Sequence, residues 1–167
     1  MILPYALGSI ITSGLGVALA TKAGRTLLIT GSLTIAASQL ALWSIIKDGN
    51  QPGYWPLALA LLAGGLGLGL AAPILVNVVL AGVPGRNAGA ASGVLSTVNQ
   101  IGGAAGIAVL GTIFFTTATA TPPAATPPAL PAYSHALSIV LIASTALYLI
   151  TALVMLALPK TTTTNTP

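Results

Sequence analysis

Apolar residues run along this chain in five long stretches, at residues 2–20, 26–46, 55–83, 89–115 and 134–158, and none of these contains Asp, Glu, Lys or Arg. Each is close to or above the roughly 20 residues a helix needs to cross about 30 Å of hydrocarbon. A soluble helix of that length needs a polar face to turn toward water. Within a bilayer, every backbone N–H and C=O must instead be satisfied inside the segment, which leaves the helix as the spanning form for runs this long. The pattern predicts an all-α membrane protein with five transmembrane helices, confined to residues 1–160.

The connectors carry the charges. Lys22 and Arg25 lie in the first, Lys47 and Asp48 in the second, Arg86 in the third, His135 at the end of the fourth, and Lys160 after the last span. Connectors alternate sides, so Lys22, Arg25, Arg86 and Lys160 share one side and Lys47 faces the other. The excess of Lys and Arg on cytoplasmic loops places the N-terminus outside and the C-terminus in the cytoplasm. Trp43, Tyr54 and Trp55 flank the second connector, at the depth where aromatic belts form. Residues 116–133, rich in Pro, Thr and Ala, are expected to be an extended extracytoplasmic loop. The tail 161–167 is expected to be a disordered cytoplasmic segment.

Composition narrows the chemistry. The chain is 55% hydrophobic and 4% charged, with a mean hydropathy of +0.98. Its net charge of +4 comes from five basic residues spread over 167 positions, which make no patch for nucleic acid. With no cysteine, disulfides and thiolate sites are excluded. One acid and one histidine, both at membrane edges, supply neither paired carboxylates nor a buried Ser/His pair. No catalytic residue, metal site or cofactor is expected, and the chain does not read as an enzyme.

The spans differ in texture. The fifth is bulky, aliphatic and free of glycine, as a lipid-facing helix is, and the second is similar apart from Gly31 and a few small polar residues. In the fourth, projected at about 100° per residue, Gly89, Ser92, Gly93, Ser96, Gln100, Gly103 and Gly111 share one sector, with Val94, Val98, Ile101 and Val109 opposite. Small residues on one face let helix backbones approach closely in lipid. Gln100, with Asn99 at the edge of that sector, would be costly against acyl chains. Both amides are therefore expected to meet protein, either as interhelical glue or as the lining of a substrate path. The third span places Gly64, Gly65, Gly67 and Gly69 on several faces, followed by Pro73 and, one turn on, Asn77. A bend is expected there.

Two passages resemble the major facilitator superfamily. Residues 17–26 are similar to its cytoplasmic Gly-x-x-x-Asp-Arg/Lys-x-Gly-Arg-Arg/Lys loop. Lys22, Gly24 and Arg25 match, while Val17, Thr21 and Thr26 replace the first glycine, the aspartate and the last basic residue. Residues 83–115 resemble the penultimate span of the fourteen-span drug/proton antiporter branch. The matching residues are Gly89 to Gly93, Asn99–Gln100, and the run Gly102, Gly103, Gly106, Ala108 and Gly111.

The resemblance implies that the five spans are the last five helices of the C-terminal half of such a bundle, and that an N-terminal half is missing. It implies a cell-membrane exporter of small lipophilic compounds driven by proton antiport, with the coupling acid on the absent half, so that this chain alone is inactive. By the same analogy the third span lines the central cavity with Asn77, Asn99 and Gln100 as substrate-pathway candidates. Gly89, Gly93, Gly103 and Pro73 are its packing or gating residues. The first and fourth spans would face the other half, and the second and fifth the lipid. The residues themselves also allow a non-transporting five-helix assembly module or a separately encoded half-transporter.

Overall fold

A computed structural model describes residues 2–47, 53–119 and 130–157. Four α-helices follow one another: α1 (Leu3–Ile46), α2 (Tyr54–Ala81), α3 (Ala88–Thr119) and α4 (Leu130–Ala157), with a 3-10 turn at Gly85–Asn87 leading into α3. The segments Gly24–Ile46, Tyr54–Leu80, Gly85–Thr119 and Tyr133–Ala157 are each long and apolar enough to cross a bilayer. The chain is an all-α, multi-pass membrane protein whose surroundings are lipid.

α1 is 44 residues long, about 66 Å if it were straight. It is not straight. Tyr5 and Ser38 both lie against Gly64, although a straight helix would hold them roughly 50 Å apart. The helix therefore doubles back between Gly16 and Gly24 and makes two arms. The first runs parallel to α2, with Tyr5 at Gly65, Thr12 at Gly69 and Gly16 at Leu70. The second runs antiparallel, with Gly24 at Ile74 and Val78, Gly31 at Gly67 and Ala71, and Ser38 at Gly64. The sequence reading separated two spans by a connector at 21–25. Helical turns persist up to and beyond the reversal instead, so the two stretches are joined without a separate loop.

The scattered glycines of α2 acquire a meaning from this geometry. Gly65 and Gly69 face the first arm, while Gly64 and Gly67 face the second. α2 is the central helix of a three-layer sandwich, so it needs a flat strip on each side. A Cβ at Gly65 would collide with the Tyr5 carbonyl oxygen, and one at Gly67 would stand 2.7 Å from Ile35 Cγ1. Packing at this distance supplies the dispersion contacts that hold helices together where hydrophobicity does not. Thr12 adds a hydrogen bond across the first interface, its Oγ1 donating to the Leu66 carbonyl at 2.9 Å.

α4 lies antiparallel on the second arm. Gln39 Nε2 donates to Ser144 Oγ at 3.2 Å, and the Arg25 guanidinium donates to the Leu156 carbonyl. Ala136, Leu141, Ser144, Thr145 and Ala152 form its buried side. The second and fifth spans are thus not purely lipid-facing. Each carries one stripe of small or polar residues that meets protein, with its bulky residues turned outward.

α3 extends to Thr119 and α4 begins at Leu130, so helix enters both ends of the region expected to be a loop. Thr116, Thr117 and Thr119 keep the helical turn by donating to carbonyls four residues back. Pro131 sits in the first turn of α4, where its missing N–H costs nothing. Residues 120–129, Asp48, Lys160 and the tail 161–167 lie outside the described residues.

Candidate functional site

The polar and glycine-rich positions singled out in the sequence sit mainly on α3, the helix least engaged with the rest. Its contact side runs through Leu95, Leu110, Ile113, Phe114, Thr117 and the buried Ala118. At its far end Phe114 stacks on Tyr133 of α4, with centroids 6.2 Å apart. That contact strip is centred roughly 60° around the helix from the glycine sector and overlaps its edge at Phe114 and Ala118, at about 100° per residue.

A Cβ added at Gly89, Gly93, Gly102, Gly103, Gly106 or Gly111 would find nothing within 4 Å. The opposite sector is equally open, with Val94, Val98, Ile101 and Val109 all exposed. Neither sector is turned into this bundle. Asn99 and Gln100 are exposed at mid-helix, and neither side chain is hydrogen-bonded to another described residue. Asn77 is exposed as well, one turn beyond Pro73 on α2. The three amides are not brought together by contacts within the chain.

Pro73 has a local consequence. Lacking an N–H, it cannot satisfy the carbonyl four residues earlier, which belongs to Gly69. That oxygen is 3.3 Å from where a Cβ would stand at Gly16, with the Leu70 oxygen at 3.4 Å. The glycine hydrogens of the first arm thus cover the carbonyls that the proline disturbs, an arrangement suited to weak Cα–H···O contacts.

The residues of the first connector part ways. Gly24 allows α1 to approach Val78 Cγ2, which lies 3.2 Å from an added Cβ. Arg25 reaches the last turn of α4 and satisfies the Leu156 carbonyl, an orphan acceptor at the negative end of that helix. The Lys22 side chain lies outside the described residues. At the opposite end Lys47 Nζ sits 5.0 Å over the Trp43 ring, and Tyr54 meets Trp55 edge-on at 5.7 Å. His135 is exposed. Among the described residues, no group of three His, Cys, Asp or Glu could hold a metal ion.

Sequence reasoning missed two polar contacts, Gln39 with Ser144 and Thr12 with Leu66. A signal existed for the first: Gln39 is an amide at mid-span, as Gln100 is, and such a group has to find protein. For the second there was none, because a threonine in a helix satisfies its own hydroxyl one turn back.

Two curated proteins are similar in sequence. Over 111 residues the chain is 39% identical to the probable actinorhodin transporter of Streptomyces coelicolor, covering 65% of this chain and 18% of that protein. Over 120 residues it is 30% identical to a tetracycline resistance determinant of Streptomyces rimosus, covering 71% of this chain and 34% of that protein. No protein-family model matches the chain, and no solved structure does. The chain spans about a fifth and a third of the lengths of these relatives, and is their homologue over roughly two thirds of its own.

Proposed function

We propose that this chain is the C-terminal transmembrane portion of a secondary transporter of the major facilitator type, exporting drugs or other lipophilic compounds by proton antiport. The observation that carries the reading is α3. A helix with mid-membrane Ser96, Asn99 and Gln100, and a glycine strip that no described residue covers, is costly in lipid and economical against a second bundle. The names of the two relatives point the same way, toward export of antibiotics such as actinorhodin or tetracycline. Alternating access would proceed by rocking of one bundle against the other. Asn77, Asn99 and Gln100 would then line the path between them, with Gly89, Gly93 and Gly103 at the seam and Pro73 at a bend.

No span holds a carboxylate, and intramembrane acids are the usual proton carriers. The coupling acid therefore belongs to the missing N-terminal half, and this chain alone is inactive. Its place is the cell membrane, N-terminus outside and C-terminus cytoplasmic. Cells making this chain alone should efflux a fluorescent tetracycline no faster than empty cells. Cells that also make the N-terminal portion of the actinorhodin transporter should gain efflux, and lose it again with Gln100→Leu. Efflux by the chain alone would refute the need for a partner half.

A second reading is favoured by the self-sufficiency of α1, α2 and α4, since no buried side-chain polar atom among the described residues lacks a hydrogen-bond partner. A non-transporting membrane module assembling through α3 would need only that core. Cysteines at Gly93 and Gly103 separate the two: crosslinks between identical chains support the module, and crosslinks to the N-terminal portion support the transporter.

A further inference from the structure

The crossing segments Gly24–Ile46, Tyr54–Leu80 and Tyr133–Ala157 meet one edge of the bundle at Gly24, Leu80 and Ala157, since α2 and α4 both run antiparallel to the second arm. Gly24 lies against Val78, about 5 Å of helical rise short of Ala81. Arg25 therefore stands at the rim of the hydrocarbon layer, the depth at which phospholipid phosphate groups begin.

The charge of Arg25 has no acidic side chain to meet. The chain holds one acid, and that residue, Asp48, adjoins Lys47 at the far end of the second arm. Lys47 is about 33 Å of helical rise from Arg25. Arg25 donates instead to the neutral carbonyl of Leu156. A guanidinium carries five N–H donors, so that bond fixes the side chain without exhausting it. The negative end of α4 offsets roughly half a charge, and the balance at this corner stays positive.

The neighbours decide what can approach. Leu153, Val154 and Leu156 in the last turns of α4 are exposed, as is Thr26 beside Arg25. The described part of α3 does not pack on α1, so this corner is separate from the glycine and amide side of α3. A bulky apolar surface that ends in a fixed cation matches a molecule with acyl chains and an anionic headgroup. Guanidinium groups pair bidentately with phosphate oxygens, whereas the choline of a zwitterionic lipid already neutralises its own phosphate.

We propose that Arg25 and the exposed end of α4 form a site for an anionic phospholipid. The phosphate meets the guanidinium, and an acyl chain lies along Leu153 and Leu156. The site holds whether or not the chain belongs to an exporter.

The test uses the full chain in bilayers of phosphatidylcholine and phosphatidylglycerol, one of the two carrying brominated acyl chains that quench nearby tryptophan. Trp43 and Trp55 report the edge where Lys47 adjoins its acid. Leu156→Trp, with both native tryptophans changed to Phe, reports the Arg25 edge. There phosphatidylglycerol should be favoured about fivefold, the effect of one basic residue at a membrane surface, and the native pair should show no preference. Arg25→Gln keeps a donor for the Leu156 carbonyl and removes the charge, so the preference should vanish while α4 stays anchored. Arg25→Lys should retain most of it. Arg86→Gln, which removes the same charge from the turn before α3, should leave it intact. Salt at about 1 M, where the Debye length is about 3 Å, should abolish the preference, and millimolar inorganic phosphate should not. Equal quenching by the two lipids at the Leu156→Trp reporter would leave Arg25 to an acidic polypeptide segment and overturn the proposal. A preference unmoved by Arg25→Gln, or displaced by inorganic phosphate, would overturn it as well.

Discussion

The Thr12 hydroxyl stands 2.9 Å from two carbonyl oxygens at once, Gly8 in its own arm and Leu66 across the interface in α2. One hydrogen serves both, so the contact between helices is an addition to the usual turn-to-turn bond and costs the helix nothing. Interhelical hydrogen bonds in membranes average about 0.6 kcal/mol. Thr12→Val keeps the shape and removes the donor. It should lower stability by about that amount in an unfolding titration from mixed micelles, and the same change at the exposed Thr97 should have no effect.

The glycines of α2 and α3 should respond oppositely to the same substitution. Gly65→Ala drives a methyl into the Tyr5 carbonyl oxygen, and overpacking of this kind costs about 1–3 kcal/mol. Gly93→Ala meets open space and should raise the stability of the isolated chain by up to about 1 kcal/mol through helix propensity alone. The same micelle titration compares them, and equal effects would contradict the sandwich arrangement of α2.

Arg25 and Leu156 tie the start of the second arm to the end of α4. Arg25→Ala should free the last turn of α4, with amides at 153–157 exchanging roughly tenfold faster, since hydrogen bonds to charged groups contribute about 1.5–3 kcal/mol and solvent screening reduces that. Arg25→Lys should recover part of the protection through its charge at the helix end. Hydrogen exchange measured by mass spectrometry reads both.

Gln39 and Ser144 hold the other half of that interface. Gln39→Leu and Ser144→Ala should each destabilise modestly, and the double variant should cost less than their sum by about 0.6 kcal/mol, the coupling expected in lipid. Additive losses would show that the amide and hydroxyl are satisfied elsewhere.

That the chain is an all-α, multi-pass membrane protein was legible in the sequence because lipid imposes an unbroken apolar run on any helix that crosses it, although among the described residues four segments rather than five are long and apolar enough to cross. Partnership was harder to read. Gly64, Gly65, Gly67 and Gly69 looked patternless until two neighbours, one on each side, divided them. Gly24 and Arg25 were noticed for a motif, yet the partner of Arg25 is 131 residues away, a separation that no local pattern encodes. Gln39 was passed over among small polar residues, although a mid-span amide carries its own signal. Asn77, Asn99, Gln100, Gly89, Gly93 and Gly103 were chosen for facing something, and among the described residues they are left open.

That contrast has an evolutionary corollary. Mutational drift in α2 is policed by the chain's own backbone, since any side chain at Gly65 or Gly67 evicts a neighbour whatever the protein does. Drift along the open side of α3 meets no such veto from within. If lineages descended from this sequence retain bare positions there, the selecting surface has to come from another polypeptide segment.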